Sequence, residues 1–370
     1  MFAPRLLGLA VACLAAAPAF ALEQGDYRLN GFGTLGMTYL GGEHDGRSYG
    51  INGQTTDSWR FDELSKLGGQ LRYGVTDDLT LTAQVIAKAQ HDSWDVNLEW
   101  FYLSYQATDR LVLRAGRLRN PVYMYSEALD VGFTYPWIRL PDEVYHQVQI
   151  SSYEGVDFIY TLPLSFGNLS VQANVGQALN SDYFFYDTTE DMDYRKIAGS
   201  SVALETNDYG TLRLSYSEAD LTLDGILRTT LDGTKGKFTS LGYQYDNGTW
   251  ITSHEATRLV VEGVIPTKNA FYMMGGRRFG DFLPHVTYAQ LDEQSGGRQV
   301  SWTYGLNYSL LPNVTLKGEY KRVDTSNEAH GVFVKTGTEY FTDLAMNQLF
   351  GIPQPTYDGD IFSVGIDFVF

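Results

Sequence analysis

Residues 31–36 read GFGTLG, a G-x-G-x-x-G spacing in which glycine backbone could close on a pyrophosphate. That chemistry needs a strand before the glycines, a helix opening on them, and an acidic residue about 20 positions on for a ribose hydroxyl. The flanks do not supply it, because the following MTYLGGEHDG carries glycines and an aspartate that would break any helix. Leu29, Leu35, Met37 and Tyr39 instead alternate with Arg28, Asn30, Thr34 and Thr38, which makes the segment a strand with small, tightly packed positions. Other chemistry is no better supplied. His44, His91, His146, His254, His285 and His330 are dispersed, with no H-x-x-x-H or H-E-x-x-H spacing, and no G-x-S-x-G occurs. TTEDMDYR, residues 188–195, offers carboxylates for calcium but reads more simply as a solvated acidic loop. The sequons at Asn168, Asn247 and Asn313 fall where turns are expected, and there asparagine serves the turn itself. No catalytic residue, metal or cofactor is expected.

The elements that would position any functional side chain follow from composition and period. Residues 1–21 show a short basic start at Arg5, an apolar stretch from Leu6 to Ala17 and a small-residue Ala19-Phe20-Ala21 site, the pattern of a cleaved secretory signal. Cleavage there removes the single cysteine, Cys13, and leaves residues 22–370 as one domain. The chain carries a formal charge of −17, which becomes −18 once Arg5 is lost, so a nucleic-acid partner is not expected. No later run of 18 or more apolar residues could cross a bilayer as a helix. Aromatics at 14%, with 26 tyrosines, 38 glycines and 19% charged residues, suit a sheet whose outer face meets lipid between aromatic girdles.

Period-two alternation is clearest in Trp302, Tyr304, Leu306, Tyr308 and Leu310. After Leu311-Pro312-Asn313 it resumes in Val314, Leu316, Gly318 and Tyr320, with Thr315, Lys317, Glu319 and Lys321 opposite. Hairpins of this kind recur around short turns at 76–78, 108–110, 163–168, 207–210, 246–248, 280–281 and 311–313. Longer polar connections alternate with them at 41–65, 90–95, 120–150, 180–195, 220–236, 258–269, 292–298 and 324–358. The spacing predicts sixteen antiparallel strands, an even number that closes a sheet without a free edge. A row of soluble β-sandwiches would also alternate, but it would need linkers between domains, and no Pro- or Ser-rich linker is present.

The final DIFSVGIDFVF places Phe362, Val364, Ile366, Phe368 and Phe370 on one face and ends on phenylalanine. It resembles the closing strand of outer-membrane porins of Gram-negative bacteria. ATDRLVLRAGRLRNP, residues 107–121, resembles the turn and fifth strand that precede the constriction loop of that family. The resemblance implies a transmembrane β-barrel in the bacterial outer membrane, contact with its lipid and lipopolysaccharide, a homotrimer, and a water-filled channel for small hydrophilic solutes. A barrel-embedded lipid hydrolase and a substrate-specific channel are the alternatives. An energy-coupled transporter with a separate plug is disfavoured, since the first strand begins within about ten residues of the cleavage site.

Residues 120–150 lack alternation and hold six aromatics (Tyr123, Tyr125, Phe133, Tyr135, Trp137, Tyr145) and three prolines (Pro121, Pro136, Pro141), too apolar for a solvated tail. Packed inward, they would narrow the barrel. The segment carries Glu127, Asp130, Asp142 and Glu143, with Arg139 and His146 beside them. Alternation turns Arg28, Arg72, Lys88, Arg114, Lys317 and Lys321 inward, because a cation on the lipid face at the bilayer midplane costs about 2–4 kcal/mol. Loop acids and wall bases then either set up a transverse field across the narrowest point or form pairs that hold the loop to the wall. Arg117 and Arg119 share parity with Leu111, Leu113 and Ala115, so each lies beyond the membrane edge or follows a bulge.

Overall fold

A computed structural model of the chain describes residues 22–41, 48–49, 57–90, 93–185, 188–224, 231–263, 265–326, 333–334, 337–352 and 358–370. The expected signal, residues 1–21, lies outside them. Sixteen antiparallel strands form one closed barrel. They are β1 Tyr27–Gly41, β2 Lys66–Thr76, β3 Leu79–Gln90, β4 Ser93–Thr108, β5 Leu111–Arg119, β6 Ser152–Leu164, β7 Gly167–Phe185 and β8 Thr188–Thr206. The sheet continues through β9 Gly210–Asp224, β10 Asp232–Asp246, β11 Trp250–Val261, β12 Ile265–Arg277, β13 Phe282–Glu293, β14 Arg298–Leu311, β15 Val314–Ser326 and β16 Gly359–Val369. Each strand pairs with its sequence neighbour, and β16 returns to β1. Among the described residues no helix is long and apolar enough to cross a membrane.

Closure explains the glycine motif. In the β1–β16 register Gly33 faces Phe368. A Cβ on Gly31 would lie 2.2 Å from the Phe370 ring, and one on Gly33 would lie 2.6 Å from that of Phe368. The glycines are seats for the two terminal aromatics, which stack on each other at 6.2 Å. On the outer face Leu71, Phe101, Leu103, Leu113, Leu214, Trp302, Tyr304 and Leu306 are exposed, while inward neighbours such as Gln70, Thr82, Ser215 and Thr303 are buried. A continuous apolar exterior over a polar inner face is what a lipid-facing barrel requires.

Strands run further than alternation alone suggests. The described residues of the regions 180–195, 220–236 and 258–269, expected as loops, are largely strand, and TTEDMDYR lies within β8 rather than in a solvated loop. The β7–β8 ladder pairs as far as Phe185 with Thr188. Beyond the hydrocarbon the outer face of such a hairpin meets water, so the ladder persists while the outward apolar row ends. The region 324–358 contains a helix at Gly337–Phe350. Asn247 serves its turn, its Oδ1 accepting hydrogen bonds from the Thr249 and Trp250 amides, whereas Asn168 lies within β7.

Candidate functional site

Between β5 and β6 the chain enters the barrel. The segment forms single 3₁₀ turns at Ser126–Ala128 and Gly132–Thr134 and one helical turn at Asp142–Tyr145. Proline restricts the backbone at 121, 136 and 141, and the aromatics supply the burial. Tyr123, Tyr135, Trp137, Leu140, Val144 and Tyr145 cluster with Phe238, Tyr272 and Met274 of the inner wall. Trp137 meets Tyr272 edge to face at 5.4 Å and donates its indole N–H to Thr287 Oγ1 at 2.8 Å. Burial pushes the Tyr123, Tyr125, Tyr135 and Tyr145 hydroxyls up, so they remain neutral.

Charged wall residues hold the loop backbone. Lys317 Nζ donates to the carbonyls of Gly132, Tyr135 and Trp137 at 2.7, 2.6 and 2.9 Å and pairs with Asp367 at 2.8 Å. Glu319 accepts the Ile138 amide at 2.8 Å, and Glu255 accepts the Met124 amide at 2.9 Å and the Tyr145 hydroxyl at 2.6 Å. Lys321 pairs with Asp142 at 2.6 Å and Glu143 at 3.5 Å. Arg139 reaches the other way, pairing with Glu63 and donating to Ser363 and Thr38. Fastening points therefore run from β9, where Ser215 donates to the Val122 carbonyl, round to β1.

A second group anchors the 3₁₀ turns. Asp130 accepts from Arg119 at 2.6 Å and lies 3.6 Å from Lys88, which also pairs with Glu99 at 3.3 Å. Burial alone would raise the Asp130 carboxyl, but Lys88, Arg119 and Lys66 hold it well below the usual carboxylate range. Arg114 pairs with Asp157 at 2.5 Å and lies 3.9 Å from Glu127. His146 sits 3.1 Å from Asp142, and burial lowers its pKa against that carboxylate's pull.

The expected residues thus divide. Lys88, Arg114, Lys317, Lys321, Glu127, Asp130, Arg139, Asp142 and Glu143 come together at the loop, Lys88, Arg114 and Lys321 meeting loop acids directly while Lys317 pairs with Asp367 and Arg139 with Glu63. Arg28 and Arg72 do not join them. They are register partners on β1 and β2 near the short-turn end, and neither forms an ion pair among the described residues. Arg117 faces outward and pairs with Glu154, whereas Arg119, at the strand end, turns inward.

Two features are not evident from the sequence pattern. Acidic wall residues Glu99, Asp157, Glu255, Glu319 and Asp367 are as important to the loop as the bases, and the parity that selects Lys317 also selects Glu319. The interior is also less polar than expected. Leu118, Tyr153, Met192, Tyr194, Ile197, Leu221 and Leu223 form an apolar cluster, most of it in regions whose outer face is polar and whose pattern is therefore weak.

Comparison with known proteins agrees with this architecture. The outer-membrane channel DcaP of Acinetobacter baumannii superposes with a TM-score of 0.60 at 11% identity, covering 94% of this chain and 98% of that one. Salmonella typhi OmpF, in a complex with daunomycin, gives 0.60 at 15% identity with the same coverages. OmpT of Vibrio cholerae in its trimer form gives 0.57 at 12% identity, covering 94% and 100%. At such identities the likeness speaks for the fold. No curated protein matches the chain. The family model described as Gram-negative porin matches residues 8–328, and the chain belongs to that family of outer-membrane channels.

Proposed function

We propose that the barrel conducts small hydrophilic solutes, charged ones included, by passive diffusion past the docked segment 120–150. The observation that carries this reading is the Lys317 clamp, in which one ammonium gathers three loop carbonyls inside the barrel. A loop tied at both sides of the lumen narrows it without sealing it by any sliding part. In this reading Lys88, Arg114 and Lys321 act mainly as anchors for Glu127, Asp130, Asp142 and Glu143, Lys317 anchors the loop carbonyls, and Arg139 anchors in the opposite sense. Arg28 and Arg72 remain available to bias ions at the short-turn mouth. Charges on the wide outer connections are screened within about 8 Å at physiological salt, so the local lining governs selectivity. Residues 1–21 act as a cleaved export signal, residues 22–370 as the single barrel domain, and the protein assembles as a homotrimer among outer-membrane lipid and lipopolysaccharide.

Liposome swelling with sugars of graded size tests the reading. Uptake should fall steeply with solute size, and vesicles that stay impermeable even to the smallest sugar would overturn it.

A further inference from the structure

The outer surface near the short-turn end contains a groove of about 640 Å³, within the roughly 300–1,000 Å³ range of small-ligand sites. Its lining includes Trp250, Thr252, Gly275, Arg277, Val286 and Tyr304. The groove exists because of Gly275. The sheet register places this residue between Thr252 and Val286 on adjacent strands, and a Cβ there would meet nothing within 4 Å. A missing side chain in an otherwise apolar lipid-facing row leaves a depression open to the bilayer.

Arg277 stands at the rim one row nearer the turns, opposite Trp250. Its guanidinium lies over the Trp250 ring at 4.9 Å and the Phe279 ring at 5.0 Å. Neighbouring Arg278 is committed to Asp246 at 2.6 and 2.7 Å, whereas Arg277 forms no ion pair among the described residues. An arginine fixed by two aromatic faces keeps its planar N–H edges free, and these match a phosphate bidentately. Short turns mark the periplasmic side of outer-membrane barrels, so the groove opens to the inner leaflet at headgroup depth.

We propose that this groove binds one diacyl phospholipid of the periplasmic leaflet, an acyl chain lying over Gly275 and the phosphate on Arg277. The site is separate from the loop inside the barrel. A purely apolar occupant would leave the cation unmatched, which is why a phosphodiester lipid fits and a bare hydrocarbon does not.

Native mass spectrometry of the detergent-purified protein titrated with phosphatidylglycerol tests this. Wild type should retain one tightly held lipid per protomer. Arg277→Gln should weaken retention roughly tenfold, the equivalent of losing a charge-assisted hydrogen-bonded contact, and Gly275→Leu should weaken it by filling the groove. Arg278→Gln should leave it unchanged. Equal retention in all four proteins would overturn the proposal. So would a Gly275→Leu variant that binds lipid normally but loses its oligomeric state, since the groove would then be a contact between copies. Conductance is expected to be the same in all four.

Discussion

Replacing Lys317 by methionine removes the ammonium and keeps the length of the side chain. Two losses combine. The carbonyls of Gly132, Tyr135 and Trp137 lose their common donor, and Asp367, 2% exposed, is left with Thr34 as its remaining partner. Breaking a buried ion pair from one side destabilises by about 3–5 kcal/mol, so the docked fraction of the loop should fall by roughly a hundredfold or more relative to the undocked one. Urea unfolding in lipid vesicles measures the stability change, and single-channel noise reports the loosened loop. The double variant Lys317→Met with Asp367→Asn should recover part of the loss, with a coupling of about 1–3 kcal/mol, because the stranded carboxylate is gone. If the single variant shifts stability by less than about 1 kcal/mol and the two substitutions are additive within roughly 0.5 kcal/mol, the clamp does not hold the loop.

Three further outcomes are expected. Asp130 is held ionised by Lys88 and Arg119, and a carboxyl with a depressed folded pKa stabilises above its ordinary value of 3.8, losing that stabilisation only as pH falls through the lower folded value. The difference in urea-unfolding stability between wild type and Asp130→Asn should therefore stay constant between pH 7 and about pH 4.5 and shrink only in stronger acid. Gly31→Leu pushes a side chain into the Phe370 ring and should cost about 1–3 kcal/mol, while Gly69→Ala, with open space at its Cβ, should be near neutral in the same unfolding assay. Exchanging both Arg28 and Arg72 for glutamine should move the reversal potential under a salt gradient toward cation preference; an unmoved potential would show that these side chains do not face the conducting path.

The barrel is legible in the sequence because burial imposes period two wherever one face meets hydrocarbon. Trp302 to Leu310 and the terminal DIFSVGIDFVF have that pattern, and seven short turns alternating with eight longer connections give sixteen strands. The pattern fails where β7, β8 and β9 pass beyond the bilayer, since water on the outer side ends the lipid-facing apolar row and leaves apolar residues such as Met192, Tyr194 and Leu223 on the inner face. The helix Gly337–Phe350 leaves a signal in the four-residue spacings of Tyr340 with Leu344 and of Phe341 with Ala345, yet it sits inside a long polar connection that hides it. At the site, composition marks 120–150 as inward and packed, and parity turns Lys317 and Lys321 inward. Which acid meets which base is not legible. Arg119 with Asp130, or Arg139 with Glu63, depends on how the loop turns in three dimensions, and alternation along a strand says nothing about a segment that leaves the sheet.

The central claim, that residues 120–150 are fastened inside the barrel and set its width, is tested most directly by paired single-channel recordings. Wild type and a variant with residues 124–146 replaced by a short glycine-serine linker would be compared in the same salt. Discrete openings that become several times larger in the shortened protein are the expected result. Openings of equal size in both proteins would contradict the account.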